Sequence, residues 1–224
     1  MWPLAVQGPK AADVLAKVFG ERIYSIKKFN FDYFSLDGSS QLIAKTGYSR
    51  IGGFEIYLSR PELGSSLWET ILEAGRSENI RPGSPNIIDR VEAGLLSFGN
   101  EMTVENTPLE CNMDKFLDIN KEADYIGKKV LQRQIRYGIK RRIRGVIYNG
   151  PKLPTISRPL QVFDIDKRTI VGSLTSGAFS PHFKSNIGVG MVKYGYWDNN
   201  KKILVNIADQ EFREGLIKDL PLIQ

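Results

Sequence analysis

The pattern of apolar and polar positions changes character once along this chain. Up to about residue 138, helical and strand spacings are mixed. Val14, Leu15, Val18 and Phe19 make one helical stripe; Gln7-Gly8-Pro9 opens that helix with proline in its first turn, and Gly20 stops it. Phe29, Phe31 and Tyr33 alternate with polar residues, which predicts a strand within 23–35 with one aromatic face. Asp37-Gly38 is a hairpin signal, and two apolar runs, 41–45 and 54–58, read as further strands. Leu63, Leu67, Trp68, Ile71, Leu72 and Ala74 predict a helix over 61–79 with Trp68 turned inward. Ser84-Pro85 reads as a cap and first helical position for a helix over 85–97, with Ile87, Ile88, Val91, Leu95 and Leu96 inward. Residues 99–112 look irregular. A short strand is expected over 113–119, and an amphipathic helix over 124–136, capped near Asp124.

After Gly138 the helical spacing gives way to short strands at 144–148, 160–164, 169–175, 187–192, 203–207 and 212–217. Turn residues separate them at Asn149-Gly150-Pro151, Asp166-Lys167 and Asp198-Asn199-Asn200. Regular short strands with such turns predict a small antiparallel β-barrel. The pattern therefore describes an α+β chain: residues 1–138 as one domain of sheet and helices, and 139–224 as a barrel.

Composition narrows the function classes. The chain has 224 residues, 42% hydrophobic and 25% charged, the range of a soluble globular protein. No apolar run approaches a membrane span, and the first residues lack the basic start and apolar core of a signal peptide. Cys111 is the single cysteine, so no internal disulfide forms and a reducing cytoplasm is expected. With one histidine, His182, the chain holds no usual zinc site, and His182 reads as an exposed residue of a barrel turn. The net charge of +6 is densest at Lys140-Arg141-Arg142-Ile143-Arg144, which reads as a half-exposed strand start with solvated charges. No nucleic-acid reading element accompanies it.

The stretch most suggestive of chemistry is Thr46-Gly47-Tyr48-Ser49-Arg50-Ile51-Gly52-Gly53-Phe54-Glu55-Ile56. Its three glycines let the backbone turn sharply and approach a ligand. Glu55 then sits in a strand between apolar neighbours, where a carboxylate needs a partner. A carboxylate grips a flat N–C–N donor edge with two parallel hydrogen bonds. An arginine such as Arg90 has that edge, and so does the 2-amino-4-oxo face of a pterin.

These residues resemble the signature of the glycine-cleavage T-protein (aminomethyltransferase) superfamily of folate-dependent one-carbon transferases. The resemblance continues in family order through Gln7-Gly8-Pro9, Arg90-Val91-Glu92-Ala93-Gly94-Leu95, Thr107-Pro108-Leu109-Glu110, Tyr125-Ile126-Gly127-Lys128 and Thr175-Ser176-Gly177-Ala178-Phe179-Ser180-Pro181. Arg50-Ile51-Gly52 departs from the family's usual Gly-Glu-Asp. With Phe31-Asp32-Tyr33-Phe34 and Gly99-Asn100-Glu101-Met102, it is more similar to the dimethylsulfoniopropionate demethylase branch.

The resemblance implies a tetrahydrofolate cofactor held by Tyr48, Glu55, Tyr57 and Arg90. It implies a small-molecule methyl donor, a sulfonium in the demethylase branch and a lipoyl-bound aminomethyl group in the other. A non-enzymatic folate-binding scaffold of the same fold is a third possibility, for which Cys111 is a poor match to the expected cysteine motif. The basic surface would favour a polyglutamate tail. Family members carry a hundred or more residues ahead of the Gln-Gly-Pro segment, including the aspartate assigned to catalysis. The chain is therefore expected to be the C-terminal portion of the folate-binding domain followed by the barrel, with no catalytic residue assigned. Its sheet edges are expected to be unpaired and prone to self-association. Neither nucleic acid nor membrane is expected as a partner.

Overall fold

The computed structural model describes residues 2–83 and 86–223. The chain divides into two compact units, Met1–Asn86 and Ile87–Gln224. In the first, β1 (Trp2–Gln7), α1 (Ala11–Phe19), β2 (Phe31–Leu36), β3 (Ser39–Ala44), β4 (Gly53–Leu58) and α2 (Gly64–Ala74) follow in order. The strands make an antiparallel sheet in the order β1-β4-β3-β2. Period-two alternation puts Phe54, Ile56 and Leu58 of β4 on one face with Ile43 and Phe34. Val14 and Leu15 of α1 and Leu67 and Ile71 of α2 join them in one core. The opposite face of the sheet carries Glu55, Tyr57, Phe31 and Tyr33. The β2–β3 hairpin turns at Asp37 and Gly38, both with positive φ (47° and 71°), as a tight Asp-Gly turn requires.

The second unit contains α3 (Ile87–Glu92), α4 (Lys128–Tyr137) and six strands: β5 (Arg141–Tyr148), β6 (Leu160–Phe163), β7 (Ile170–Ser180), β8 (Ser185–Lys193), β9 (Lys202–Ala208) and β10 (Glu211–Lys218). They close into an antiparallel barrel in the order β10-β5-β8-β7-β6-β9. Val146, Val162, Val171, Leu174, Val192, Ile203, Val205 and Ile217 fill it with Tyr148. Where β7 and β8 cross closely, a Cβ on Gly190 would lie 1.9 Å from the Ser173 carbonyl oxygen, so no other residue fits there. The texture change near residue 138 falls just before β5. Compactness nevertheless groups residues from Ile87 with the barrel, because α3 packs on β7 and β8, where Val91 meets Ile143, Ile187 and Val189. Among the described residues no helix is long and apolar enough to cross a membrane.

Burial inside the barrel pushes the Tyr148 phenol up to about 12. Its folded pKa lies above the unfolded value near 10, so its contribution is complete below pH 10 and is lost as pH rises toward 12. Two units correspond to about 2–3 kcal/mol. Chemical unfolding of the wild type and Tyr148→Phe at pH 9 and pH 11.5 is expected to show a steeper alkaline loss in the wild type. Equal pH slopes would contradict the assignment.

Several elements differ from the sequence pattern, each for a local reason. The strand expected within 23–35 begins only at Phe31; residues 21–25 form a 3₁₀ turn, and Phe29 takes φ 64°, which removes it from the aromatic face. The helix expected over 61–79 is a 3₁₀ turn at 61–63 followed by α2, which ends before Gly75; Asn79, at φ 58°, ends the next turn. Trp68 faces outward, 39% exposed, while Leu67 and Ile71 supply the buried face. The helix expected over 85–97 ends at Glu92. Gly94 takes φ 65°, its N–H donates to the Val91 carbonyl and that of Leu95 to the Arg90 carbonyl, a Schellman stop. The Ser84-Pro85 cap lies outside the described residues. The strand expected over 113–119 is a 3₁₀ turn at 114–116. The helix placed at 124–136 starts at Lys128, because Gly127 at φ 87° interrupts the chain before it. The basic run is ion-paired rather than simply solvated: Arg141 binds Glu110, Arg142 binds Asp114 and Arg144 binds Asp219.

Candidate functional site

The loop between β3 and β4 is shaped by its glycines and pinned by Gln7. Gly53 takes φ 143°, and a Cβ there would lie 2.5 Å from the Val6 carbonyl oxygen. Gln7 Nε2 donates to the carbonyls of Thr46 (3.3 Å) and Phe54 (3.2 Å), and its Oε1 accepts from the Ser49 hydroxyl at 3.0 Å. A Cβ on Gly47 would collide with that same amide. The residue opening the first helix motif thus also fixes the loop that carries Tyr48. Gln7→Leu removes all three bonds, and faster amide exchange confined to residues 46–54 is expected; unchanged exchange there would show the loop to be held otherwise.

Glu55 follows on β4. The Thr46 hydroxyl donates to its Oε2. Tyr57, two residues on, points to the same face. Its phenol is raised from the ordinary value first by burial, then by the Glu55 carboxylate beside it. Register fixes the neighbours. Phe31, Ala44, Glu55 and Ala5 form one row across the sheet, and Tyr33, Leu42, Tyr57 and Pro3 form the next. Small residues flank Glu55 on both sides, leaving the carboxylate at the floor of a shallow surface. Phe31 and Tyr33 stand at its side, rings edge to face with centroids 5.9 Å apart, and both are more than half exposed. Tyr48 is 45% exposed. Such a surface suits a flat heterocycle: stacking on aromatic faces and a donor edge for the carboxylate.

Of the four residues read from sequence, the first unit brings Glu55 and Tyr57 together on one face, and Tyr48 lies in the loop that starts at Thr46. Arg90 belongs to the second unit. It is buried on α3, and its fork is held by Glu101, NH1 to Oε2 at 2.9 Å and NH2 to Oε1 at 3.1 Å. NH1 also donates to the Leu95 carbonyl at 2.9 Å, and NH2 to the Ser176 hydroxyl. Four residues further along β7, on the same face, Ser180 donates to Glu92. The two serines of the Thr-Ser-Gly-x-x-Ser-Pro segment therefore dock α3 on β7. Sequence reading singled out neither the Arg90–Glu101 pairing nor Gln7 as a loop anchor, since both join positions far apart in the chain. A cleft of about 500 Å³ on the barrel, lined by Tyr148, Lys167, Lys202 and Glu214 among others, contains none of the four residues. His182 is exposed in the turn after β7. Among the described residues no cluster of His, Cys, Asp and Glu could hold a metal ion.

A four-stranded antiparallel sheet backed by two helices, joined in sequence to a closed six-stranded barrel, defines an α+β protein of the T-protein type. Two family models match in that order: the GCVT N-terminal domain over residues 1–121 and the glycine cleavage T-protein C-terminal barrel domain over 141–220. The chain belongs to the glycine cleavage T-protein family. It is 43% identical over 195 residues to the dimethylsulfoniopropionate demethylase of Ruegeria pomeroyi, covering 87% of this chain and 52% of that protein. It is 37% identical over 217 residues to the aminomethyltransferase of Caldanaerobacter subterraneus subsp. tengcongensis, covering 96% and 56%. The crystal structure of the glycine cleavage system aminomethyltransferase T from Bartonella henselae superposes with a TM-score of 0.81 at 24% identity, over 99% of this chain and 59% of that one. The chain thus spans little more than half the length of the relatives it matches, of which one is a demethylase and two are aminomethyltransferases by name.

Proposed function

We propose that this chain carries the tetrahydrofolate-binding face of a one-carbon transferase that moves a methyl group from a sulfonium donor to N5 of the folate. The supporting observation is the pairing of Glu55 with Tyr57 on an exposed sheet face between small and aromatic neighbours. Glu55 would accept both donors of the pterin's N–C–N edge, with Thr46 holding one oxygen in place. Tyr57 and Tyr48 would stack on or hydrogen-bond the flat ring. Arg90, as a separate candidate from its motif, would offer a guanidinium already fixed by Glu101 and Ser176. Tetrahydrofolate, when bound, supplies the nucleophilic nitrogen. The chain's own task is alignment: a neutral thioether leaves easily, so positioning carries most of the acceleration. Phe31 and Tyr33 offer aromatic faces to a sulfonium cation. The higher identity to the demethylase than to the aminomethyltransferase favours this donor.

Isothermal titration with tetrahydrofolate tests binding; a folded chain that releases no heat and shifts no melting temperature would reject it. An assay offering a sulfonium donor and an aminomethyl-lipoyl donor tests the chemistry. The expected product is 5-methyltetrahydrofolate from the sulfonium. Formation of 5,10-methylenetetrahydrofolate that depends on a lipoyl protein would replace this reading with aminomethyl transfer.

A further inference from the structure

A carboxylate accepts in about four directions, two on each oxygen. At the end of a glutamate it also turns: the last torsion is broad, with no staggered well to hold it. A ligand that needs both oxygens in one plane must stop that rotation, and the lost freedom weakens binding. A carboxylate whose plane is already fixed escapes this cost.

Glu55 is fixed by what flanks it along β4. Ala44 of β3 and Ala5 of β1 lie directly opposite it in the sheet. Two residues on, the chain reaches Thr46 on one side and Gln7 on the other, both toward Gly53, while Tyr57 stands in the opposite direction. The Thr46 hydroxyl donates to Glu55 Oε2, so that oxygen keeps one accepting direction open. Threonine is stiff at its first side-chain torsion, so the hydroxyl moves only if its backbone moves. Gln7 holds that backbone: its Nε2 crosses to the Thr46 carbonyl at 3.3 Å. Two glycines leave room for the crossing. A Cβ on Gly53 would lie 2.8 Å from Gln7 Cδ, and one on Gly47 would lie 2.0 Å from Gln7 Oε1.

We infer, on the reading of this face as a pterin site, that Thr46 is a specificity-determining positioning residue: its hydroxyl fixes the plane of the Glu55 carboxylate, and the fixed plane selects a ligand with two parallel donors over a ligand with one. A single donor is met equally well by a turning carboxylate, so it gains nothing from Thr46. An N–C–N edge needs both oxygens at once and gains the orientation already in place. Thr46 touches the carboxylate and acts on the ligand through it.

Titration of the full chain with 6,7-dimethylpterin and with 6,7-dimethyllumazine, followed by the chemical shifts of the β4 amides, tests this. The two probes differ at one position of the edge: the pterin presents its 2-amino group beside N3–H, and the lumazine presents an oxygen there. The wild type is expected to prefer the pterin about tenfold. Thr46→Val keeps the branched shape and removes the hydroxyl. It is expected to bring the two affinities within about threefold, by loss of pterin binding alone. Thr46→Ser returns the donor and is expected to return the preference; thermal melts verify folding of both variants. A folded Thr46→Val that keeps the tenfold preference overturns the inference and leaves Glu55 as the pterin acceptor. A Thr46→Ser chain as indiscriminate as the valine variant also overturns it, since shape and not the hydroxyl would then matter. A wild type that binds neither probe, or both alike, overturns the pterin reading of this face together with the inference.

Discussion

Glu101→Ala is expected to destabilise the barrel unit by about 3–5 kcal/mol, the scale for removing one partner of a buried ion pair. The side chains of Arg90 and Glu101 are 8% and 0% exposed, and two parallel hydrogen bonds join them. Without Glu101 the Arg90 charge stays buried and loses its bidentate carboxylate, keeping Ser176 and the Leu95 carbonyl among its acceptors. Glu101 Oε2 also accepts from Ser97 N–H at 2.7 Å, so the segment after α3 loses an anchor as well. Equilibrium unfolding in urea measures the loss. Replacing both residues, Arg90→Met with Glu101→Leu, is expected to recover more than half of it, because no charge is then stranded. A single variant within about 1 kcal/mol of the wild type would mean that water reaches the pair.

The barrel strands were legible because alternation is a local signal, whereas the run at 113–119 read as a strand and forms a 3₁₀ turn. All six barrel strands, the Asp37-Gly38 hairpin and the 54–58 strand appear where apolar residues alternate between turn residues. The helices were legible in existence but not in extent. Gly75, Gly94 and Gly127 cut or delay them, and a glycine in a helical pattern announces a stop only through the backbone angle it adopts. Trp68 shows a second limit. A 100° step separates it from Leu67, enough to carry it off the buried stripe while the spacing still admits it.

The candidate site was partly legible for the same reason. Glu55 and Tyr57 share a face because their spacing is two, and Phe31 and Tyr33 likewise. That these pairs lie on one face depends on the register between β2, β3 and β4, which pattern alone does not set. Arg90 was read from a motif, yet Glu101, eleven residues on, and Ser176, eighty-six residues on, hold it. Long-range partners of a buried charge leave no periodic trace.

Glu55→Ala is expected to weaken tetrahydrofolate binding by about 1–3 kcal/mol, roughly fivefold to 150-fold, while leaving the fold nearly as stable as before. The binding loss follows from leaving two ligand donors without an acceptor at a half-buried surface. The small stability cost follows from position: the side chain points away from the core built by Phe54, Ile56 and Leu58, and its hydrogen-bonded neighbours are Thr46 and Tyr57. Glu55→Gln separates charge from shape. It keeps one acceptor oxygen but presents an NH₂ to the ligand's donors, so it should bind no better than alanine. Tyr57→Phe, which leaves the carboxylate and the ring in place, should lose less than either. Calorimetry on the three variants, with thermal melts to verify folding, tests the ordering. A folded Glu55→Ala with wild-type affinity would remove Glu55 from the site, whatever the chain's family.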